Sequence, residues 1–263
     1  FGSVIEQQKY LDLESSIVEK FPDCDVFTSF SSRMVIKLLK KKKNEEYKNL
    51  PQTLADIDML GYKHVSVVSI NIFPTDEHEV LKKIVDGFKH FSLANISCTN
   101  ALLTKTKETT AFLKDLNEQI SKDDTANLYV IHGTPRLDTV GIDSISYSAS
   151  FLELISENNF TCSLEGAFPY FEINDVIKSR IEKLGLKKVQ VVPLLLVSGN
   201  HYIEDMFEIK DDLSDKFESF IVPSLTKSEK FNLIELPMIQ NIIEKNIQNT
   251  FKMMGISHKE ITY

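Results

Sequence analysis

Leu60-Gly61-Tyr62-Lys63-His64-Val65-Ser66-Val67-Val68 returns 124 residues later as Leu184-Gly185-Leu186-Lys187-Lys188-Val189-Gln190-Val191-Val192. In each copy a glycine follows a helix-patterned stretch and precedes a run rich in β-branched residues. Glycine just past the last helical turn is a common stop, because it enters the left-handed region without a Cβ penalty. Valine and isoleucine then favour extended backbone. Each copy therefore reads as a helix end followed by a buried strand. The first strand is expected over Val65–Phe73 and the second over Val189–Val197, where Pro193 removes one ladder donor. A third apolar run, Leu128-Tyr129-Val130-Ile131, reads the same way, and Cys162-Ser163-Leu164 is a short strand between them.

Outward from these strands lie helix-patterned stretches at roughly 4–20, 31–43, 51–60, 77–91, 105–121, 144–158 and 172–184. Strands alternating with helices of this length indicate a parallel sheet with helices on both faces. A second match, Phe1-Gly2-Ser3 against His132-Gly133-Thr134, keeps the order of the first, and Asp76 and Glu77 fall opposite Asn200 and His201. Two ordered matches indicate a duplicated unit. The expected organisation is two similar Rossmann-like α/β halves, residues 1–124 and 125–263, with the boundary near Lys122–Ala126. In this reading Phe1 ends a first strand whose body lies ahead of the sequence. A last helix, about 236–253, is expected to pack back on the first half.

Bulk properties narrow the function classes. The 263 residues carry a net charge of −8, which disfavours nucleic acid as a partner, since phosphate demands basic patches. Lys40–Lys43 is followed by Glu45 and Glu46 and reads as a solvated helix end. Cys24, Cys98 and Cys162 are odd in number and widely spaced, against a disulfide framework or structural zinc. They suit a reducing compartment, so the expected location is cytoplasmic. No apolar stretch reaches the ~18 residues of a membrane span. GxGxxG, Walker A, HExxH and GxSxG patterns are absent, which weakens dinucleotide, NTPase and serine-hydrolase readings.

Ligands of open parallel sheets bind beyond the carboxyl ends of the strands. His132 ends one strand, His201 follows Val197-Ser198-Gly199-Asn200, and Glu165 follows Leu164. Two imidazoles and a carboxylate can ligate a borderline divalent ion and accept protons near neutral pH. A single strand-end histidine is more often a structural hydrogen-bonding residue; two in one unit shift the balance toward a site. Glu204 and Asp205 would share a helical face with His201 and could pass a cation to it, although an acidic helix start is stabilised by the dipole in any case. His64, His90 and His258 read as surface residues, and His78 as structural or as part of a rim.

Val191-Val192-Pro193-Leu194-Leu195-Leu196-Val197-Ser198-Gly199-Asn200-His201-Tyr202-Ile203-Glu204-Asp205-Met206 resembles a signature of the form MPLMLVAGDHAxNDM. Ile131-His132-Gly133 resembles its GHG strand end, and Leu164-Glu165 its VE before a proline-containing loop, here Phe168-Pro169. Phe1-Gly2-Ser3 resembles its FGTS. Phe21-Pro22-Asp23 to Arg33–Leu39 resembles its next helix–strand–helix passage, and Pro74–Glu79 its GDEYE-like turn. The family is the anaerobic sirohydrochlorin cobaltochelatases of CbiK type, relatives of the ATP-independent class II chelatases. The resemblance runs in order from Phe1 to about Met253. It implies two α/β halves with the tetrapyrrole in the cleft between them, and His132, Glu165 and His201 as metal-binding and catalytic residues. It further implies Co²⁺ as the metal inserted into sirohydrochlorin or precorrin-2, with no organic cofactor and no ATP.

Asn200 stands where the family often has Asp, and His78 where Tyr is common, so metal preference stays open between Co²⁺, Fe²⁺ and Ni²⁺. Some members are exported, which leaves the compartment open too. A homo-oligomer is a further possibility that no pattern decides. Two other classes compete: a haem or tetrapyrrole carrier without turnover, and a two-lobed solute-binding protein. The three site residues together favour the enzyme, because a carrier needs an axial ligand but no proton acceptor.

Overall fold

The computed structural model of the chain describes residues 3–199 and 204–256. They pack as two compact units. One runs through Leu102 and takes back the segment from Ile239 onward; the other is Leu103–Met238.

The second unit contains a four-stranded parallel sheet. Its strands are β3 (Thr125–Gly133), β4 (Asn159–Glu165), β5 (Lys188–Leu194) and β6 (Glu218–Ile221), in the order β4-β3-β5-β6. The connecting helices are α5 (Thr106–Ile120), α6 (Ile142–Ile155), α7 (Tyr170–Lys183) and α8 (Asp205–Ser214). β3 is buried almost throughout, as a central parallel strand must be. On one face Leu128, Val130, Val189 and Val191 pack with Ile177 and Ile181 of α7 and Ile209 and Leu213 of α8. On the other, Tyr129 donates to Asn117 of α5, and Gln190 donates to the Ile120 carbonyl. α5 packs on α6 and belongs to the compact unit that begins at Leu103.

Pro193 lies within β5 without breaking it. The carbonyls of Lys187 and Val191 accept from Glu218 and Val222, so odd-numbered residues of β5 turn their backbone toward β6. Pro193 falls on that side, past Ile221, the last residue of β6 in the ladder. The donor it lacks therefore falls beyond the paired segment of β6, where its loss interrupts no bond within the ladder.

The first unit is built on a two-stranded parallel sheet, β1 (His64–Val67) with β2 (Asn95–Cys98). Its helices are α1 (Gln7–Lys20), α2 (Arg33–Lys43), α3 (Leu50–Leu60), α4 (Asp76–Lys89) and α9 (Pro237–Met253). Ser32 caps α2 by accepting from the Val35 N–H, and the four lysines fill its last turn, where cations oppose the dipole. Asn49 and Gln52 form a reciprocal capping box at α3, with Pro51 in its first turn. Gly61 ends α3 in the left-handed region at φ 75°. Leu54 and Ile57 of α3, Val85 of α4, and Val65, Val67 and Ile96 of the strands form the core. α9 is tied to this unit by Thr250, hydrogen-bonded to Ser66, and by Phe251, edge-on to Phe21.

The expected strand Val65–Phe73 is a correction: only His64–Val67 is strand. Its partner β2 is four residues long. Beyond it a side chain takes over the pairing, with Thr99 Oγ1 accepting from the Ser69 N–H at 2.8 Å. The second run likewise ends at Leu194 rather than Val197, after which Leu195 and Leu196 carbonyls accept from Leu233 and Ile234. Among the described residues no helix is long and apolar enough to cross a membrane.

Candidate active site at the carboxyl edge of the second sheet

All strands of the second sheet are parallel, so their carboxyl ends share one edge. β3 leads into α6 on one face and β5 into α8 on the other. The chain therefore diverges between these neighbouring strands, the place where open α/β sheets leave a crevice. His132 is the penultimate residue of β3, and Glu165 the last of β4.

Register brings these two together. Gly133 of β3 pairs with Glu165 of β4, and His132 Nδ1 lies 3.6 Å from Glu165 Oε1. Both side chains are a little under half exposed, accessible to an incoming ion yet based in the sheet. The same imidazole nitrogen is 3.4 Å from the Gly133 carbonyl. Among the described residues, no further His, Cys, Asp or Glu joins them to make a group of three able to hold a metal ion.

Two glycines that the sequence reading did not single out set this geometry. Gly133 has φ 82°, and a Cβ there would lie 1.9 Å from the Glu165 carbonyl oxygen. Gly166 has φ 84°, and its Cβ would lie 1.8 Å from the Thr134 carbonyl oxygen. The two strand ends thus cross at a distance that only glycine allows, each directly after a site residue. The signal was in the dipeptides His132-Gly133 and Glu165-Gly166. The loop beyond Glu165 is pinned to its own strand: the Ser163 N–H donates to Phe168 O at 3.0 Å, and Ser163 Oγ to Ala167 O at 2.7 Å. Phe168 takes the left-handed conformation, φ 60°, which a bulky residue adopts only when its surroundings impose it. Phe168 is itself two-thirds exposed.

His201 and Asn200 lie outside the described residues. The chain leading to them is anchored as far as Gly199: Ser198 is buried, its N–H donates to Asn232 Oδ1 at 2.7 Å, and its hydroxyl donates to the Phe231 carbonyl. The chain resumes at Glu204, which is exposed, and Asp205 opens α8. His78 is buried, and its Nδ1 is hydrogen-bonded to Ser69 Oγ at 2.9 Å. Burial, reinforced by the Lys82 charge against the opposing Glu79, holds its pKa below the usual histidine value. His64 and His90 are exposed; His258 is outside the described residues.

A parallel α/β sheet thus brings an imidazole and a carboxylate together at its carboxyl edge, a pair of groups able to bind a divalent ion. The family model for cobalt chelatase (CbiK) matches residues 1–252, so the chain belongs to the cobalt chelatase (CbiK) family. It is accordingly a metal chelatase, and the carrier alternative is not favoured. The chain is 22% identical over 195 residues to the sirohydrochlorin cobaltochelatase of Salmonella typhimurium strain LT2, a match covering 73% of this chain and 71% of that one. Its fold is similar to that of SirB from Bacillus subtilis with Fe³⁺, at a TM-score of 0.64 and 15% identity over 94% of this chain and 90% of that one. It is also similar to the sirohydrochlorin chelatase SirB from Bacillus subtilis subspecies spizizenii in complex with cobalt, at 0.61 and 14% over 95% and 92%.

Proposed function

We propose that this chain inserts Co²⁺ into sirohydrochlorin without ATP, with His132, Glu165 and His201 as the residues that hold the metal and take up protons. The observation that carries the reading is the approach of His132 Nδ1 to Glu165 Oε1 at 3.6 Å on the carboxyl edge. Two ligands each ~2.1 Å from a tetrahedral first-row ion are ~3.4 Å apart, so this pair could share one ion with little rearrangement. The names of the relatives supply the substrate: one is a sirohydrochlorin cobaltochelatase, another a sirohydrochlorin chelatase bound to cobalt.

The chemistry requires that two pyrrole N–H protons leave as one divalent cation enters. A neutral imidazole can ligate the cation and, once the cation passes to the macrocycle, accept a proton. The Glu165 carboxylate offsets the charge of the ion while it waits. Holding ion and ring in register replaces a bimolecular encounter with an oriented one.

The test is an anaerobic absorbance assay of sirohydrochlorin with Co²⁺, and with Fe²⁺ and Ni²⁺ in parallel, against a protein-free control. Cobalt-product formation should exceed the control. His132→Ala should slow it by about 10²-fold or more, the range for losing a positioned proton acceptor, with His201→Ala similar and both variants folded. Wild-type turnover by either variant would remove that residue from the site. A faster rate with Fe²⁺ or Ni²⁺ would reassign the metal.

A further inference from the structure

Phe168 combines two features that work against the stability of the fold. Its backbone is left-handed, φ 60°, where a Cβ crowds the following carbonyl oxygen. It is also an aromatic residue left mostly exposed, so burial of its ring does little to offset the strain. Glycine would adopt the same backbone freely, and asparagine nearly so. The contrast is Asn44, the other described non-glycine residue with positive φ, which is of a tolerant type and simply ends α2. A turn here does not call for phenylalanine.

The strained residue is held from both sides. On one, Ser163 binds the Phe168 and Ala167 carbonyls through its N–H and its hydroxyl. On the other, Tyr170 is buried, and its hydroxyl donates to Asp212 of α8 at 2.6 Å. Strained residues held this firmly cluster at ligand sites. The anchorage also fixes where Phe168 stands. Ser163 precedes Glu165 by two residues on β4, and its Cβ lies 3.0 Å from the position a Cβ on Gly133 would take. The loop that leaves β3 shares the same root, since Gly166 meets the Thr134 backbone. That loop exposes Leu137 and Val140, each by more than half. Exposed apolar residues therefore leave the crossing point on both loops, next to the polar His132–Glu165 pair.

Resting on the reading that this chain metallates sirohydrochlorin, we propose that Phe168 is a substrate-binding residue whose ring stacks against one face of the macrocycle. A conjugated macrocycle is flat and apolar on its faces, and aromatic rings pack on such surfaces in offset geometry. Stacking alone lets a flat ligand slide. A ring fixed by an over-determined backbone limits that slide and so sets the macrocycle relative to the waiting ion.

The test uses the whole chain with sirohydrochlorin and Co²⁺ under anaerobic conditions. Phe168→Gly removes both ring and strain; Phe168→Asn removes the ring and keeps a residue that tolerates the left-handed backbone. Both should keep or raise Tm and bind Co²⁺ as before. Both should raise KM for sirohydrochlorin about tenfold, the loss expected for one stacked ring, with a smaller change in kcat. Phe168→Tyr should recover most of that loss. The sequence contains no tryptophan, so Phe168→Trp supplies a single fluorophore. Sirohydrochlorin without metal should quench it more strongly than a tryptophan at Leu184, at the other end of α7. A lower Tm with unchanged KM in the Gly and Asn variants would make Phe168 a packing residue and overturn the proposal, as would equal quenching of the two tryptophans. Turnover by the unsubstituted chain with unchanged KM in both variants defeats the proposal alone. An unsubstituted chain that neither binds nor metallates sirohydrochlorin defeats the functional reading together with it.

Discussion

Replacing Gly133 by alanine tests the reasoning about the site most directly. The new Cβ would sit 1.9 Å from the Glu165 carbonyl oxygen. An ordinary carbon–oxygen contact is about 3.3 Å, so the ends of β3 and β4 must separate by roughly 1.4 Å at that point. The left-handed backbone adds about 1–2 kcal/mol for any residue with a Cβ, and overpacking against backbone that cannot rotate away adds about 1–3 kcal/mol. The expected loss is roughly 2–5 kcal/mol, or on the order of 10 °C in Tm for a chain of this size. The same displacement carries His132 away from Glu165, and an error of about 1 Å in a reacting geometry can cost about 10²-fold in rate. Gly61→Ala is the control. Gly61 has nearly the same φ, 75°, but nothing within 4 Å of its Cβ position, so it should lose only the backbone contribution and leave metallation unchanged. Thermal unfolding and the anaerobic cobalt assay read both effects. Gly133→Ala with the Tm of Gly61→Ala and wild-type metallation would show that the strand ends do not approach as described.

Two further predictions concern pH. Asp212 is desolvated by burial, yet hydrogen bonds from Lys178, Tyr170 and Asn174 and the Lys178 charge outweigh that and hold its pKa below the usual carboxylate value. Its contribution is therefore complete above about pH 4 and is lost as pH falls through the lowered folded-state value. Asp212→Asn should destabilise by about 3 kcal/mol at pH 7, because it strands the buried Lys178 charge, and should flatten the acid limb of the Tm–pH curve; an unchanged acid limb refutes the assignment. His78 works in the other direction: its folded-state pKa is lowered by burial. The unfolded chain then takes up a proton near pH 6.5 that the folded chain does not, so stability should fall as pH drops from about 7 to 5. His78→Gln should reduce that slope, and an identical slope would show that another group carries it.

Much of this architecture follows from local pattern. α1 through α7 and α9 lie within a few residues of where apolar periodicity, caps and stop glycines put them, because each signal acts within one or two turns of chain. Gly61 and Gly185 mark the same helix–strand junction twice for the same reason. β2 and β6 escaped notice: Asn95–Cys98 and Glu218–Ile221 are four residues each, too short for alternation to be distinguished from a loop. Their strand character comes from the neighbours β1 and β5. The length of β1 was overestimated because Val65–Phe73 is rich in β-branched and apolar residues to its end, while pairing stops where β2 stops.

The site divides along the same line. His132 and Glu165 were legible as strand-end residues of suitable chemistry, and resemblance added their proposed roles. Their 3.6 Å separation was not legible. It depends on the register that sets Gly133 against Glu165, thirty-two positions away in sequence, and on two backbones crossing where a Cβ would collide. Periodicity, capping and charge are properties of neighbours along the chain, and the sequence by itself determined the alternation of helix and strand and the candidates at the strand ends. Register and the order β4-β3-β5-β6 arise from pairings between distant segments, and only the tertiary structure decided them.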